Sequence, residues 1–416
     1  MALPVSLTGK YQLVLLAAEG DPHLGEYASR LDHALDLAFS HLGVNIEKFL
    51  IRIMSGTPVA LDRRMPTVAV FFGFVPSPKL AVEDKNRLDQ LVADGGLIIP
   101  IVTDTTNFSA LVPAQIANLN GISLADCGTE FERLAARVLE GFGLLREKRR
   151  LFISYRRVDT SSVAAQLYEA LDAAGFDVFL DTHGVLRPGE PFQDILWHRL
   201  ADTDVAVLLD SPGFMASRWT EEELARANTS NIQILQLLWP GQTEGATAAF
   251  STFYPLTQNE FEGPETLGPV ARLFDSSIGK IVDAVEGLRA RAIGARLAFL
   301  VREFVLEARK AGLSVHTTLE RALVVLGGTR GRALVLPAIG VPDAERYEKL
   351  VDLQERELSA GRTYAPPPVL LYDQTGIRTR WLQHLSWLNS NLACARSVSL
   401  VDAEDWLNNL KAKGAP

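Results

Sequence analysis

The segment LFISYRRVD, residues 151–159, is an apolar run that ends in polar and basic residues. This pattern is typical of a buried strand that carries polar side chains at its carboxyl end. The amphipathic stretch SSVAAQLYEALDAAG at 161–175 ends in a glycine, which predicts a helix. FDVFLD at 176–181 predicts a second strand. The order strand, helix, strand indicates a parallel α/β sheet.

The same alternation of apolar runs and amphipathic stretches extends along the whole chain. YQLVLLAA from Tyr11, TVAVFFGF from Thr67 and LIIPIV from Leu97 predict buried strands on the amino-terminal side. The run REKRR at 146–150 is interpreted as a solvated linker between domains, and a small basic patch for an anionic partner is the alternative. A new helix is predicted to begin near Arg296. We therefore expect three consecutive α/β units, which are an N-terminal domain at 1–147, a parallel-sheet domain at 148–292 and a C-terminal domain at 293–416.

Composition and charge exclude several classes of protein. The chain has 416 residues, of which 47% are hydrophobic and 22% charged, so we expect an ordered globular protein rather than a disordered one. The net charge of −9 argues against direct binding of nucleic acid. No apolar run reaches about 18 residues, and the first residues do not have the pattern of a signal peptide, so we expect none. We expect a cytoplasmic protein without a membrane span, and with two distant cysteines and no Cys-x-x-Cys we expect no metal site.

Five segments of the central unit together resemble a known family. They are FISYRR at 152–157, GFDVFLD at 175–181, HGVLRPGEPF at 183–192, DVAVLLDSPGF at 204–214 and SRWTEEEL at 217–224. In this order and spacing they resemble the sequence boxes of TIR (Toll/interleukin-1 receptor) domains, in particular those of bacterial TIR NADase immune effectors. The resemblance is limited to the middle third of the chain, and it implies a flavodoxin-like fold with a parallel sheet there.

The resemblance implies a specific chemistry at Glu223. TIR enzymes cleave the bond between nicotinamide and ribose in NAD⁺, and Glu223, four residues after Trp219, stands at the position of their catalytic glutamate. The leaving group is already cationic in NAD⁺, so no general acid is required. A carboxylate beside the ribose stabilises the positive charge of an oxocarbenium-like transition state. NAD⁺ is then a substrate, and no resident cofactor or metal is implied.

Other residues of the same boxes are predicted to bind substrate or to support assembly. Arg156 and Arg157 follow the first strand at the carboxyl end, where open α/β sheets bind ligands, and guanidinium groups can hold a pyrophosphate. The other predicted substrate-binding residues are Ser154, Tyr155, Phe192 and Trp219. The loop implied to contact a neighbouring TIR domain contains Gly184, Arg187, Pro188 and Gly189.

Structural interpretations of these residues stay open beside the catalytic one. Thr220 and Glu223 also match a capping box at the start of a helix, and capping is compatible with catalysis. Trp219 also suits packing, and Arg157 also suits a solvated surface.

The flanking units carry no motif of their own. In the first unit, TVAVFFGFVPSP is similar to DVAVLLDSPGF, but Glu83 has no accompanying tryptophan and the Ser-Tyr-Arg-Arg run is missing. We interpret 1–147 as catalytically silent and used for docking, ligand sensing or regulation. It is either a degenerate TIR-like copy or an ordinary α/β domain, since a helix that ends in glycine before an apolar strand occurs in every α/β fold. The C-terminal unit is interpreted as a sensor or oligomerisation module. Alternatively this unit is the main actor and binds a nucleotide-like messenger, with its loops at 325–331 and 373–376 contacting phosphates, although ordinary strand-to-helix turns explain these loops equally well.

Two functions from different classes follow. The first is an NAD⁺ glycohydrolase that releases nicotinamide and ADP-ribose or cyclic ADP-ribose, acting as an antiphage defence effector. Its TIR domains would self-associate after the flanking domains sense an unknown trigger, which is a protein or a nucleotide messenger. The alternative is a non-catalytic scaffold or signalling adaptor that works through contacts between TIR domains alone.

Overall fold

A computed structural model gives the fold of two compact units. It describes residues 11–62, 65–180, 192–214, 232–244, 251–318, 321–328, 331–359, 361–364 and 367–412. One unit is Thr8–Glu147, and the other consists mainly of Lys148–Pro416. Within the described residues, the strands form three five-stranded sheets, one in the first unit and two in the second.

The first unit is a parallel α/β domain. Its elements are β1 Tyr11–Ala17, α1 Leu24–His41, α2 Ile46–Phe49, β2 Leu50–Met54, β3 Thr67–Gly73, α3 Val82–Ala93, β4 Leu97–Val102, α4 Phe108–Leu111, β5 Ile122–Ser123 and α5 Glu132–Gly141. The strand order is β2-β1-β3-β4-β5, and every pairing is parallel. Strands β1, β3 and β4 were predicted from their apolar runs. Strands β2 and β5 were not, because one has polar interruptions and the other has two residues.

The second unit begins with another parallel sheet of the same strand order. Its elements are β6 Arg149–Ser154, α6 Arg157–Ala173, β7 Phe176–Leu180, α7 Phe192–Ala201, β8 Val205–Asp210, β9 Gln233–Leu238 and β10 Thr252–Pro255. The strand order across the sheet is β10-β9-β8-β6-β7. If the strands are numbered by their appearance in the chain and read from the β7 edge, the order is 2-1-3-4-5, which is the order in the first unit. This is the flavodoxin-like arrangement that we predicted for the central part of the chain.

A single long helix follows this sheet. Helix α8 spans Asp275–Lys310, 36 residues, and is about 54 Å long at 1.5 Å per residue. The sequence predicted two helices here, with a new unit near Arg296. The prediction of two helices is wrong, because Ala292, Ile293 and Gly294 are buried within one uninterrupted helix. The expected boundary at 292/293 therefore lies inside α8, and a division of function there stays a prediction.

The third sheet, at the carboxyl end of the chain, is mixed. Its elements are β11 Ser314–Thr317, β12 Leu323–Gly328, β13 Gly331–Ala338, α9 Ala344–Ser359, β14 Val369–Tyr372, α10 Thr379–Asn391, β15 Arg396–Ser399 and α11 Ala403–Ala412. Strands β11, β12 and β13 pair antiparallel, whereas β13, β14 and β15 pair parallel. The α/β class of this region was predicted, but the antiparallel part was not.

Both faces of the central sheet are covered, which explains its continuous apolar strands. Leu151 and Ile153 belong to a core shared with α6 and α8, whereas Phe152 packs with Trp197 and Leu200 of α7. Successive strand residues point to opposite faces, so this alternation continues to the end of β6. The two faces therefore receive different side chains from the same short segment.

Helix α8 is joined to the α7–β8 turn by buried charges. Arg289 and Asp204 are fully buried, with 3.2 Å between Nε and Oδ2. Arg296 donates to the carbonyl oxygen of Thr203 at 2.9 Å, and Glu286 forms an ion pair with Arg149 at the start of β6. These contacts tie the long helix to the central sheet.

Candidate functional site

Polar side chains meet at the carboxyl edge of the central sheet. Strands β6 and β8 are adjacent and parallel, so the residues after each strand lie at the same edge. Arg156 follows β6, and the turn Ser211–Gly213 follows β8. Ligands of open α/β sheets bind in the crevice outside this edge.

Arg156 is held in place by this turn and by its own helix. Its Nη1 donates to Oδ2 of Asp159 at 2.9 Å and to the carbonyl oxygen of Pro212 at 3.2 Å. A Cβ atom at Gly213, where φ is +78°, would lie 3.3 Å from this nitrogen, so the turn fits closely around the guanidinium group. Nε and Nη2 of Arg156 have no hydrogen-bond partner among the described residues, and its side chain is 40% exposed. Two N–H-bearing nitrogens are thus left to face an anionic ligand.

Asp159 connects the two strand ends. It lies in the first turn of α6, where a carboxylate suits the positive end of the helix. Its Oδ2 also accepts a hydrogen bond from Oγ of Ser211 at 3.2 Å. The carbonyl oxygen of Asp159 accepts from the backbone N–H of Gly268 at 2.6 Å. One residue therefore joins β6, β8 and the segment after β10.

A buried carboxylate lies at the end of β8. Asp210 is 6% exposed and accepts a hydrogen bond from Nε2 of Gln236 at 2.7 Å. Burial raises the pKa of Asp210, and the hydrogen bond from Gln236 opposes that effect. Sequence reasoning missed this pair, although an aspartate that ends an apolar run is a visible signal. A shifted carboxyl group beside a ligand-binding edge is a candidate functional group.

Four of the predicted substrate-binding residues have described side chains, and these lie in three environments. Ser154 is fully buried, and Tyr155 packs in the core shared with α6 and α8. Arg157 is exposed in the first turn of α6, and none of the described residues pairs with it. Arg156 is thus the predicted residue with both an anchor and an accessible guanidinium group. Substrate contacts by the other three stay predictions.

Several predicted residues lie outside the part of the chain that the structure describes. These are Trp219, Glu223, Gly184, Arg187, Pro188 and Gly189. Phe192 begins α7, but its side chain is also outside the described set. The catalytic and assembly roles of these residues stay predictions.

Two kinds of feature are absent from the described residues. Among them, no group of three or more histidine, cysteine, aspartate or glutamate side chains is placed to hold a metal ion. No helix of this part of the chain is both long enough and apolar enough to cross a bilayer.

The central unit is thus a five-stranded parallel α/β domain with a charged, partly open carboxyl edge. Comparison with protein families matches residues 151–262 to the TIR domain. The middle part of the chain is a TIR domain, as its sequence boxes predicted. The matched range contains all five boxes and includes β7 to β10. No curated protein matches the chain.

Proposed function

We propose that this protein is an NAD⁺ glycohydrolase whose active site lies at the carboxyl edge of the TIR sheet. The observation that carries the proposal is the position of Arg156. Its guanidinium group is held by hydrogen bonds from Nη1 to Asp159 and Pro212. Nε and Nη2 make no hydrogen bond to any of the described residues. A fixed guanidinium group with two nitrogens available is suited to a pyrophosphate, which it binds through paired charge-assisted hydrogen bonds.

The reaction follows from the charge of the substrate. The C–N bond between ribose and the nicotinamide cation breaks, and both electrons go to nicotinamide, which leaves neutral. The ribose becomes oxocarbenium-like, and the carboxylate of Glu223 stabilises that charge. Water then adds to C1 and loses a proton, which gives ADP-ribose. If an adenine nitrogen adds instead, the product is cyclic ADP-ribose.

The biological role that fits this activity is defence by loss of NAD⁺. Such an enzyme must be silent until it is needed, and activation by self-association of TIR domains would supply that control. The first unit and the third sheet would then sense a protein or a nucleotide messenger. In this proposal the protein is an antiphage effector.

A non-catalytic scaffold is the second candidate function. TIR domains commonly self-associate, and Arg156 with Asp159 also suits a polar docking surface. The Trp219-x-x-x-Glu223 spacing favours the enzyme.

The test compares the purified full-length protein with Glu223→Gln and with the matched control Glu222→Gln. Nicotinamide and the second product are separated by chromatography, at dilute protein and again under crowding that permits assembly. We expect release by wild type and by Glu222→Gln, and a loss of about 10²–10³ in rate for Glu223→Gln, the size seen for one well-placed electrostatic group. Full activity of Glu223→Gln would contradict the site, and silence of all three proteins under crowding would favour the scaffold.

A further inference from the structure

A cavity lies within the second unit, away from the candidate active site. Its volume is about 790 Å³, within the range of about 300–1,000 Å³ that is usual for small-molecule sites. Its walls come from the start of β6, from β7 and α7, and from helices α9 and α10. Arg150 at the start of β6 lines it, and Ser154 at the other end of that strand is four residues, roughly 13 Å, further along. The cavity is therefore distinct from the carboxyl edge of the sheet.

Aromatic rings form one wall of the cavity. The rings of His198 on α7 and Trp381 on α10 are stacked, with centroids 5.5 Å apart and planes 15° apart. His384, one turn along α10, meets Trp381 edge to face at 6.0 Å. Phe179 of β7 also lines the cavity, under the guanidinium group of Arg199 at 4.7 Å. Flat rings at these positions suit a flat ligand that stacks on or between them.

Carboxylates outnumber cationic groups in the lining. The described lining has five carboxylates, Asp177, Asp202, Asp343, Glu348 and Asp352, and two guanidinium groups, Arg150 and Arg199. Arg150 forms an ion pair with Asp202, and Asp343 forms one with Lys148 at 2.7 Å. The lining therefore keeps an excess of negative charge.

Two of the carboxylates are available to a ligand. Glu348 and Asp352 lie one turn apart on α9, both exposed, and neither has an ion-pair partner among the described residues. Burial, and then the neighbouring guanidinium groups of Arg199, Arg378 and Arg150, lower the pKa of His198 to about 4, so this ring is neutral at pH 7. Glu348 and Asp352 line the same cavity as the aromatic rings. Carboxylates and ring faces both attract organic cations and repel anions.

We propose that this cavity binds a small planar aromatic cation, such as a protonated or quaternised heteroaromatic amine. The ring of the ligand stacks on Trp381, and its charge faces Glu348 and Asp352. Because α7 belongs to the TIR sheet and α10 to the third sheet, a bound ligand contacts both parts of the second unit. The proposal does not depend on NAD⁺ cleavage.

A neighbouring cleft favours a ligand of the opposite charge, an anion. The test must therefore distinguish binding in this cleft from binding in the cavity. The cleft has a volume of about 580 Å³ and is lined by Arg378, Arg380, Trp381, Gln383 and His384. It shares Trp381 and His384 with the cavity but carries guanidinium groups in place of carboxylates. An anionic ligand that stacks on Trp381 would therefore lie in this cleft.

The experiment is calorimetric titration of the full-length protein with proflavine, a planar cation, and with 1-pyrenesulfonate, a planar anion. Trp381→Leu is compared with Trp387→Leu, which lies on the same helix, is 58% exposed and does not line the cavity. We expect saturable proflavine binding that Trp381→Leu weakens about tenfold or more and that Trp387→Leu changes less than about twofold.

A double variant keeps the test valid if Trp381→Leu fails to fold. Glu348→Gln with Asp352→Asn changes two exposed side chains, so the fold is retained. This variant should weaken proflavine binding about fivefold, and added salt should lower the affinity of wild type. Absence of saturable proflavine binding by wild type, equal losses in the two tryptophan variants, or binding of 1-pyrenesulfonate that is tighter than that of proflavine would each overturn the proposal. In the last case the basic cleft is the binding site.

Discussion

Ser211, which follows β8, and Arg156, which follows β6, donate hydrogen bonds to the same carboxylate oxygen of Asp159. Oδ2 of Asp159 accepts from Oγ of Ser211 at 3.2 Å and from Nη1 of Arg156 at 2.9 Å. The carboxylate is 18% exposed, so solvent screens these contacts only in part. Arg156 is consequently oriented by the fold before any ligand arrives, which is the property that a pyrophosphate-binding residue needs.

Removal of the Asp159 charge should weaken substrate binding rather than abolish turnover. Asp159→Asn loosens the anchor of Arg156, and partly exposed ion pairs contribute about 0.2–1 kcal/mol. We expect KM for NAD⁺ to rise by up to about fivefold, with a smaller change in kcat. Steady-state kinetics test this, with Asp172→Asn at the other end of α6 as the control. A large fall in kcat at constant KM would contradict a positioning role.

Loss of the Asp210 charge should stabilise the protein at neutral pH. Burial raises the pKa of this carboxyl above its unfolded value, so the folded state binds the proton more tightly. The stability that this group contributes is therefore complete at low pH and is lost as pH rises through the folded pKa. Asp210→Asn retains an acceptor for Gln236 without the charge. The gain in unfolding free energy should be largest near pH 7 and should shrink as pH falls towards about 4.

Denaturant unfolding followed by tryptophan fluorescence measures the change in unfolding free energy of the second unit, which contains Asp210. All six tryptophans of the chain lie after Lys148, so the signal reports the second unit alone. Glu169→Gln, an exposed charge removal on α6, is the control and should leave stability nearly unchanged at every pH. A loss of stability in Asp210→Asn at pH 7 would show that the charge is used rather than tolerated.

Loss of Arg289 should be the most destabilising of the changes considered. Arg289 and Asp204 are both fully buried, and removal of one partner leaves an uncompensated buried charge. We expect Arg289→Ala to cost about 3–5 kcal/mol. Arg302→Ala on the same helix removes an exposed partner of Glu303 and should cost at most about 1 kcal/mol. Equal costs in the fluorescence assay would contradict the buried junction between α8 and the TIR sheet.

Acid should destabilise the second unit through His198. Burial and three nearby guanidinium groups lower the folded pKa of His198 to about 4, so the unfolded chain binds the proton more tightly. Stability from this group is present above about pH 6.5 and is lost as pH falls towards 4. His198→Phe keeps a ring against Trp381 and should flatten that slope, whereas His23→Gln in the other unit should leave it unchanged. An unaltered slope in His198→Phe would contradict the assignment.

The apolar runs predicted most of the central fold correctly. Strands β6 and β8 and helix α6 follow local periodicity, because a strand buried on both faces is apolar throughout and a helix is apolar on one side. The five sequence boxes also identified the TIR domain, since they combine strand ends with turns at defined spacing. Each of these signals is carried by residues that are close together in the sequence, so it can be recognised without the tertiary structure.

The features that local patterns missed depend on contacts between distant residues. Helix α8 runs without a break through the buried residues 292–294 and contacts strands of both sheets of the second unit. Local periodicity does not indicate which sheet covers a helix. The antiparallel pairing of β11 to β13 likewise depends on which strands meet. The register between β8 and β9 brings Asp210 and Gln236 together. The docking of α7 and α10, which are about 180 residues apart in the sequence, forms the cavity between them.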